Sequence, residues 1–253
     1  MDWIQSLILG IIQGFTEFLP ISSSGHLVLG QNLMNISIPG HEFEVMVHFG
    51  TLCSILVVFR EDILEIFTTL RSNETQRELI TLFIGTLPAV FVGVLLKDQI
   101  DIMFDRVEFV AIALTLTGAI LIISKRLSGD SKKITYLGGF LIGLSQAVAI
   151  IPGISRSGMT ICTGLAIGIS SEISARFSFL LSIPVIFGAG LLTAFDIESI
   201  ESIKWDVMFI GFLGSFIVGI FALKWLLSWL KSGRFFWFGF YCLLTGFIAW
   251  NFL

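Results

Sequence analysis

The sequence predicts an all-α integral membrane protein: six transmembrane helices plus two re-entrant helix hairpins, arranged as an inverted repeat. Three observations carry that reading. First, 55% of the 253 residues are hydrophobic and 13% are charged, with mean hydropathy +0.93. A soluble domain carries about 25% charged residues, so lipid must cover most of this surface. Second, the apolar residues fall in runs near the ~20 that cross a bilayer as a helix, and most charges fall between the runs. Third, two apolar stretches are broken midway by Pro, Gly and Ser, and the two breaks look alike.

The first stretch, Trp3 to Leu33, is interrupted by Pro20-Ile21-Ser22-Ser23-Ser24-Gly25-His26. Irregular backbone at membrane depth survives only where protein or water satisfies it. A re-entrant hairpin over 3–33 is therefore expected, with two short spans and a surface loop as the alternative. Asp2 in place of a basic start, and no small-residue cleavage site, argue against a removed leader. Spans follow at 44–60, 77–97 and 107–126, joined by charged segments such as Arg60-Glu61-Asp62 and Arg71 to Glu78. After Lys125 to Lys133 comes the second broken stretch, 134–169, interrupted by Pro152-Gly153-Ile154-Ser155-Arg156-Ser157-Gly158. Spans at 172–193, 205–230 and 235–252 complete the chain.

One offset of 133 residues sets Gly10-Ile11-Ile12-Gln13 on Gly143-Leu144-Ser145-Gln146 and Ser22-Ser23-Ser24-Gly25 on Ser155-Arg156-Ser157-Gly158. It also carries 44–60 onto 177–193 and 77–97 onto 210–230. The chain 1–253 thus reads as one membrane domain of two repeats, 1–126 and 134–253, each a hairpin plus three spans. A hairpin returns to its own side and three spans do not, so the second copy enters upside down. That plan places a site near the midplane, at the repeat interface. Nine Lys/Arg (Arg60, Arg71, Arg77, Lys125, Arg126, Lys132, Lys133, Lys231, Arg234) lie on one side, against Lys97, Arg106 and Lys204 on the other. The positive-inside rule puts the nine in the cytoplasm and both termini outside.

Net charge is −4 and no dense basic block appears, which argues against nucleic acid as a partner. Cys53, Cys162 and Cys242 lack the spacing of a metal or redox motif and read as packing residues.

Chemistry concentrates at the breaks. Gln13 and Glu17 are four apart and share a helix face; an acid at depth needs a partner or a task. Arg156, costing roughly 2.5–3.5 kcal/mol at a helix centre on insertion scales, stands among Ser155, Ser157 and Gly158 where a helix begins. Helix N-termini and guanidinium groups both suit phosphate. A purely structural Arg156–Glu17 pair is the rival. His26 is placed to shuttle a proton or attack phosphorus, whereas His41 and His48 read as interfacial or packing residues. Ser22, Ser23 and Ser24 supply a nucleophile or merely cap the next helix.

Gln13-x-x-x-Glu17, the Pro20 to His26 run and Pro152-Gly-Ile-Ser-Arg156-Ser-Gly-Met-Thr160 together resemble the undecaprenyl-diphosphate phosphatase family, also called the bacitracin-resistance family. Glu44 matches a further acidic position. The resemblance spans the whole chain. Gln13 stands where some members carry glutamate, which weakens the case for a two-carboxylate metal site. The family implies hydrolysis of a polyprenyl diphosphate to its monophosphate and inorganic phosphate, which recycles the cell-wall lipid carrier and confers bacitracin resistance. It further implies a multi-pass protein of the bacterial plasma membrane with its site open to the outer face. A divalent cation, Mg²⁺ or Ca²⁺, is expected, with Glu17 as its candidate ligand, and a homodimer is admissible.

On this reading Glu17, Ser23, His26 and Arg156 are catalytic, and Gln13, Glu44, Ser155, Ser157 and Thr160 bind substrate. Ser23, His26 and water all stand as nucleophile candidates. Lipid phosphatases of the acid-phosphatase superfamily follow their Ser-Arg motif with a histidine and an aspartate; Cys162 and Ala166 occupy those places, so that reading fails. A transporter or flippase of polyprenyl phosphate is the non-enzymatic alternative, since inverted repeats and broken helices serve transport too.

Overall fold

The computed structural model describes residues 1–36, 42–104, 106–196 and 204–252; His41 lies outside them. The first helix, α1 (Trp3–Phe18), starts on a capping box in which Asp2 and Gln5 exchange side-chain and backbone hydrogen bonds, each of 2.9 Å. It ends at Leu19, extended at ψ 142°, because Pro20 disfavours helical geometry in the residue before it. Then come α2 (Ser23–Leu33), α3 (Glu42–Val58), α4 (Arg60–Thr68), α5 (Asn73–Leu95), α6 (Lys97–Phe104) and α7 (Val107–Ile123), which a 3-10 turn extends to Arg126. The second half runs α8 (Tyr136–Val148), α9 (Arg156–Ala166), α10 (Ser171–Asp196), α11 (Trp205–Lys231) and α12 (Trp237–Phe252). Among the described residues the one isolated β-bridge joins Ser131 to Ile169.

Among the described residues four segments are long and apolar enough to cross a membrane: Asn73–Leu95, Val107–Arg126, Ser171–Leu192 and Trp205–Lys231. A fifth is obtained if α3 and α4, which meet at a 68° bend, count as one. This is a multi-pass membrane protein.

Two elements differ from expectation. The stretch after the span at 44–60 is helical rather than a loop, because Arg60-Glu61-Asp62 turns the chain aside instead of carrying charge into hydrocarbon. The resulting α4 has no buried residue and exposes Leu64 and Phe67, the habit of a helix lying along an interface. The last helix, at 16 residues, starts later than the expected span because a turn around Gly233 (φ +68°) precedes it.

Small residues let the helices approach. A Cβ added at Gly118 would lie 2.7 Å from the Gly239 carbonyl oxygen, and the reverse holds equally, so α7 and α12 touch backbone to backbone. The same closeness joins α8 to α5 at Gly143 and Gly85. Between helices in lipid, van der Waals packing replaces hydrophobic drive, and small residues maximise it. Around the central core of Phe18, Ile55, Leu121, Ile142, Phe179 and Leu223, Phe83, Phe91, Phe221 and Phe247 point outward to lipid. The helices α2 and α9, each of 11 residues, begin 133 positions apart and meet through their N-terminal loops near this core.

Candidate active site

The two breaks are tied together. Ser22 has φ 69° and ψ 102°, a conformation that costs a residue with a side chain about 1–3 kcal/mol. It is held on three sides. Its hydroxyl accepts from the Gly25 N–H at 3.3 Å and from the Gly153 N–H of the other break at 3.1 Å. Its carbonyl accepts from His26 Nδ1 at 2.8 Å. On the other break, Gly153 adopts φ +94°, which favours glycine. Thr117 of α7 donates to the Gly153 carbonyl at 3.0 Å and accepts from the Ser155 N–H at 3.2 Å. Hydroxyls thus satisfy the irregular backbone of both breaks.

This join brings Arg156 onto Glu17. Arg156 Nη2 donates to Glu17 Oε1 at 2.5 Å, and the guanidinium also sits 5.9 Å from the Phe179 ring centroid. The other carboxylate oxygen, Oε2, accepts from Ser23 Oγ at 2.6 Å and from Gln13 Nε2 at 3.0 Å. His48 Nε2 lies 3.5 Å from the same oxygen. His48 Nδ1 is 2.6 Å from the Glu44 carbonyl; a carbonyl only accepts, so Nδ1 carries the proton. Gln31 donates to Glu44 Oε1 at 2.6 Å.

A cavity of about 380 Å³ opens on this cluster. Its polar wall includes Glu17, Ser22, Ser23, Ser24, Gln31, Glu44, His48, Gln146, Ser155 and Arg156, and its apolar wall Leu27, Val45, Phe104, Ile150, Val185 and Ile186. Such a vessel suits a molecule with an anionic head and a hydrocarbon tail. Several buried atoms around it lack partners among the described residues: Arg156 Nη1, Glu44 Oε2 and both amide atoms of Gln146.

Of the residues expected to act, Glu17, Ser23, Glu44, Ser155 and Arg156 are brought to the cavity together. Gln13 sits behind Glu17 as its hydrogen-bond donor. Ser157 and Thr160 are buried beneath α9: Ser157 faces the Leu19 carbonyl at 3.4 Å, and Thr160 meets Ser178 at 2.6 Å. Neither lines the cavity. His26 is also absent from the lining; its Nε2 meets Tyr241 Oη at 2.9 Å, with the two rings stacked.

Among the described residues the imidazole that faces the cavity is His48, expected from sequence to be an interfacial or packing residue. The signal available was its i,i+4 spacing from Glu44, which puts both on one face of α3. Glu17, the expected metal ligand, has both oxygens engaged by Arg156, Ser23 and Gln13. Among the described residues no three His, Cys, Asp or Glu side chains are grouped to hold a metal.

Comparison with known proteins is consistent along the whole chain. A family model described as bacitracin resistance protein BacA matches residues 6–248. A protein named undecaprenyl-diphosphatase from Christiangramia forsetii is 41% identical, covering 98% of this chain and 97% of its own. Proteins of the same name from Halothermothrix orenii and Bacteroides thetaiotaomicron are each 40% identical, with 97% of this chain covered and 96% and 97% of theirs.

Proposed function

The chain belongs to the bacitracin resistance protein BacA family, and on that ground we propose that it is an undecaprenyl-diphosphatase working at the Glu17–Arg156 cavity. It removes the terminal phosphate of undecaprenyl diphosphate in the bacterial membrane, leaving the monophosphate as carrier lipid and conferring bacitracin resistance. The observation that carries the site is the convergence of Arg156 and Ser23, from opposite repeats, on the two oxygens of one buried carboxylate.

The diphosphate enters with its tail along the apolar wall. Arg156 keeps Nη2 on Glu17 and turns Nη1 to the terminal phosphoryl group, assisted by the N-terminus of α9. Ser23 Oγ attacks phosphorus in line with the bridging oxygen. Its proton passes to Glu17 Oε2, 2.6 Å away, and the P–O bond to the lipid monophosphate breaks. Water then cleaves the phosphoserine, with Glu17 and the adjacent His48 Nε2 carrying the proton. Phosphoryl transfer depends chiefly on such positioning and charge stabilisation. With each of its nitrogens facing a hydrogen-bond partner, Ser22 or Tyr241, His26 serves as a strut for the Ser22 turn rather than as nucleophile.

The unpaired Glu44 Oε2 fits a divalent cation that arrives on the diphosphate, since Mg²⁺ is commonly held by one or two carboxylates plus substrate phosphates. Such a cation would neutralise phosphate charge; Glu44, with His48 near it, would hold it in place of Glu17.

In the membrane the chain forms two inverted repeats, with α1–α2 and α8–α9 as re-entrant hairpins and α12 as a sixth, short span. The cavity opens outward, on the side of the 97–106 connection, which supplies Phe104 to its wall; both termini lie outside. Proteoliposomes holding undecaprenyl diphosphate, with and without a chelator, test the function. Phosphate release that falls on chelation is expected. Movement of lipid between leaflets with no phosphate released would make the protein a flippase instead.

A further inference from the structure

Gln146 lies in the last turn of α8, on the cavity wall, and is only 2% exposed. Neither its Nε2 nor its Oε1 has a hydrogen-bond partner among the described residues. A buried amide left unpaired is costly, and a leucine of similar size would fill the same space without that cost. The repeat shows what is missing. The 133-residue offset sets Gln146 on Gln13 and Ile150 on Glu17. In the first repeat the glutamine donates to the carboxylate one turn on, at 3.0 Å. In the second, the residue one turn on is Ile150, which also lines the cavity and accepts nothing. The amide is kept and its acceptor is gone. Arg156 Nη1, a second buried donor without a partner, belongs to the same cavity.

We propose that Gln146 is a substrate-binding residue: its Nε2 donates to a phosphoryl oxygen of the lipid diphosphate beside Arg156 Nη1. The diphosphate supplies the acceptor that Glu17 supplies to Gln13. The Oε1 atom takes a hydrogen bond from water carried in with the phosphates. Because the amide atoms lie just beneath the cavity surface, reaching the ligand takes a turn of the Gln146 side chain. This assignment rests on the cavity being the phosphatase site.

The test compares full-length wild type, Gln146→Leu, Gln146→Glu and Arg156→Ala in detergent, measuring phosphate release from undecaprenyl diphosphate and thermal midpoints with and without pyrophosphate. Gln146→Leu is expected to keep or raise the midpoint, because it removes an unpaired amide. Its kcat/KM falls roughly 10–100-fold, the worth of a hydrogen bond to a charged group, and pyrophosphate stabilises it less than wild type. Gln146→Glu, which sets a carboxylate against the diphosphate, falls further. A Gln146→Leu kcat/KM within twofold of wild type overturns the assignment. So does a loss of folding that accounts for the lost activity. Wild-type turnover by Arg156→Ala would overturn the placing of the active site itself, a separate outcome.

Discussion

Breaking and then neutralising the Arg156–Glu17 pair separates catalysis from structure. The two side chains are 16% and 6% exposed and 2.5 Å apart. At an effective dielectric of about 20 their attraction is roughly 6–7 kcal/mol before desolvation is subtracted. Arg156→Met alone leaves Glu17 charged and unpaired among Gln13, Ser23 and His48. Stranding one member of a buried pair costs about 3–5 kcal/mol. For a chain of this size each kcal/mol moves the thermal midpoint by about 2–4 °C, so a fall of roughly 6–20 °C is expected. Adding Glu17→Gln removes the stranded charge and keeps a side chain that can bond Ser23, so most of the midpoint returns. Activity does not return. With no cation for the phosphoryl group and no base for Ser23, turnover stays at least about 10²–10³ lower, the loss seen when one charge-stabilising donor is removed. The assay is phosphate release per folded protein, with thermal unfolding followed on the same samples. Recovery of both stability and turnover in the double variant would show that the pair only holds the hairpins together.

Two further outcomes follow from the geometry. Ser23→Ala should lower turnover by at least about 10³, as loss of a covalent nucleophile does, and should abolish radiolabelled phosphate trapped on the protein by acid quench; trapped label persisting in Ser23→Ala would refute its role. Gly143→Ala drives a methyl into the Gly85 carbonyl and should destabilise by about 1–3 kcal/mol, whereas Gly188→Ala meets nothing within 4 Å among the described residues and should stabilise α10 by up to about 1 kcal/mol. Thermal midpoints in detergent check both, and equal shifts would contradict the close helix contact.

Much of this was legible because the bilayer leaves few options. Charged or Pro-Gly-Ser segments cannot cross hydrocarbon as helices, so the breaks at Pro20 and Pro152 announced themselves. An arginine and a glutamate in such company needed a partner or a task, and in the structure they are partners. What stayed hidden depends on side-chain direction. His26 sits in the most conspicuous motif yet turns to Tyr241, 215 residues away, a partner that no local pattern indicates. His48 sits in an unremarkable apolar run yet reaches Glu17, because α3 packs beside α1. Thr117 clamps the second break from the middle of a plain hydrophobic span. Each depends on which helix faces which, and spacing within one helix does not carry that information.

At the 133-residue offset, the residues that hold the two breaks match and those proposed to act differ. Ser22 and Ser155 match and do the same work, each accepting from a glycine N–H three residues on, Gly25 or Gly158. One position further the match fails: Ser23 in one half, Arg156 in the other. The proposed nucleophile and the proposed phosphate-gripping cation therefore stand at the first positions of α2 and α9, 133 residues apart, and both reach Glu17. The carboxylate follows the same rule, present at Glu17 and replaced by Ile150 in the other half. Restoring likeness should erase the chemistry while sparing the packing. Ile150→Glu gives Gln146 an acceptor and adds a third carboxylate to a cavity wall that already carries Glu17 and Glu44. It should hold the helices together yet weaken the grip on a dianionic head, because like charge inside a low-dielectric site is poorly screened.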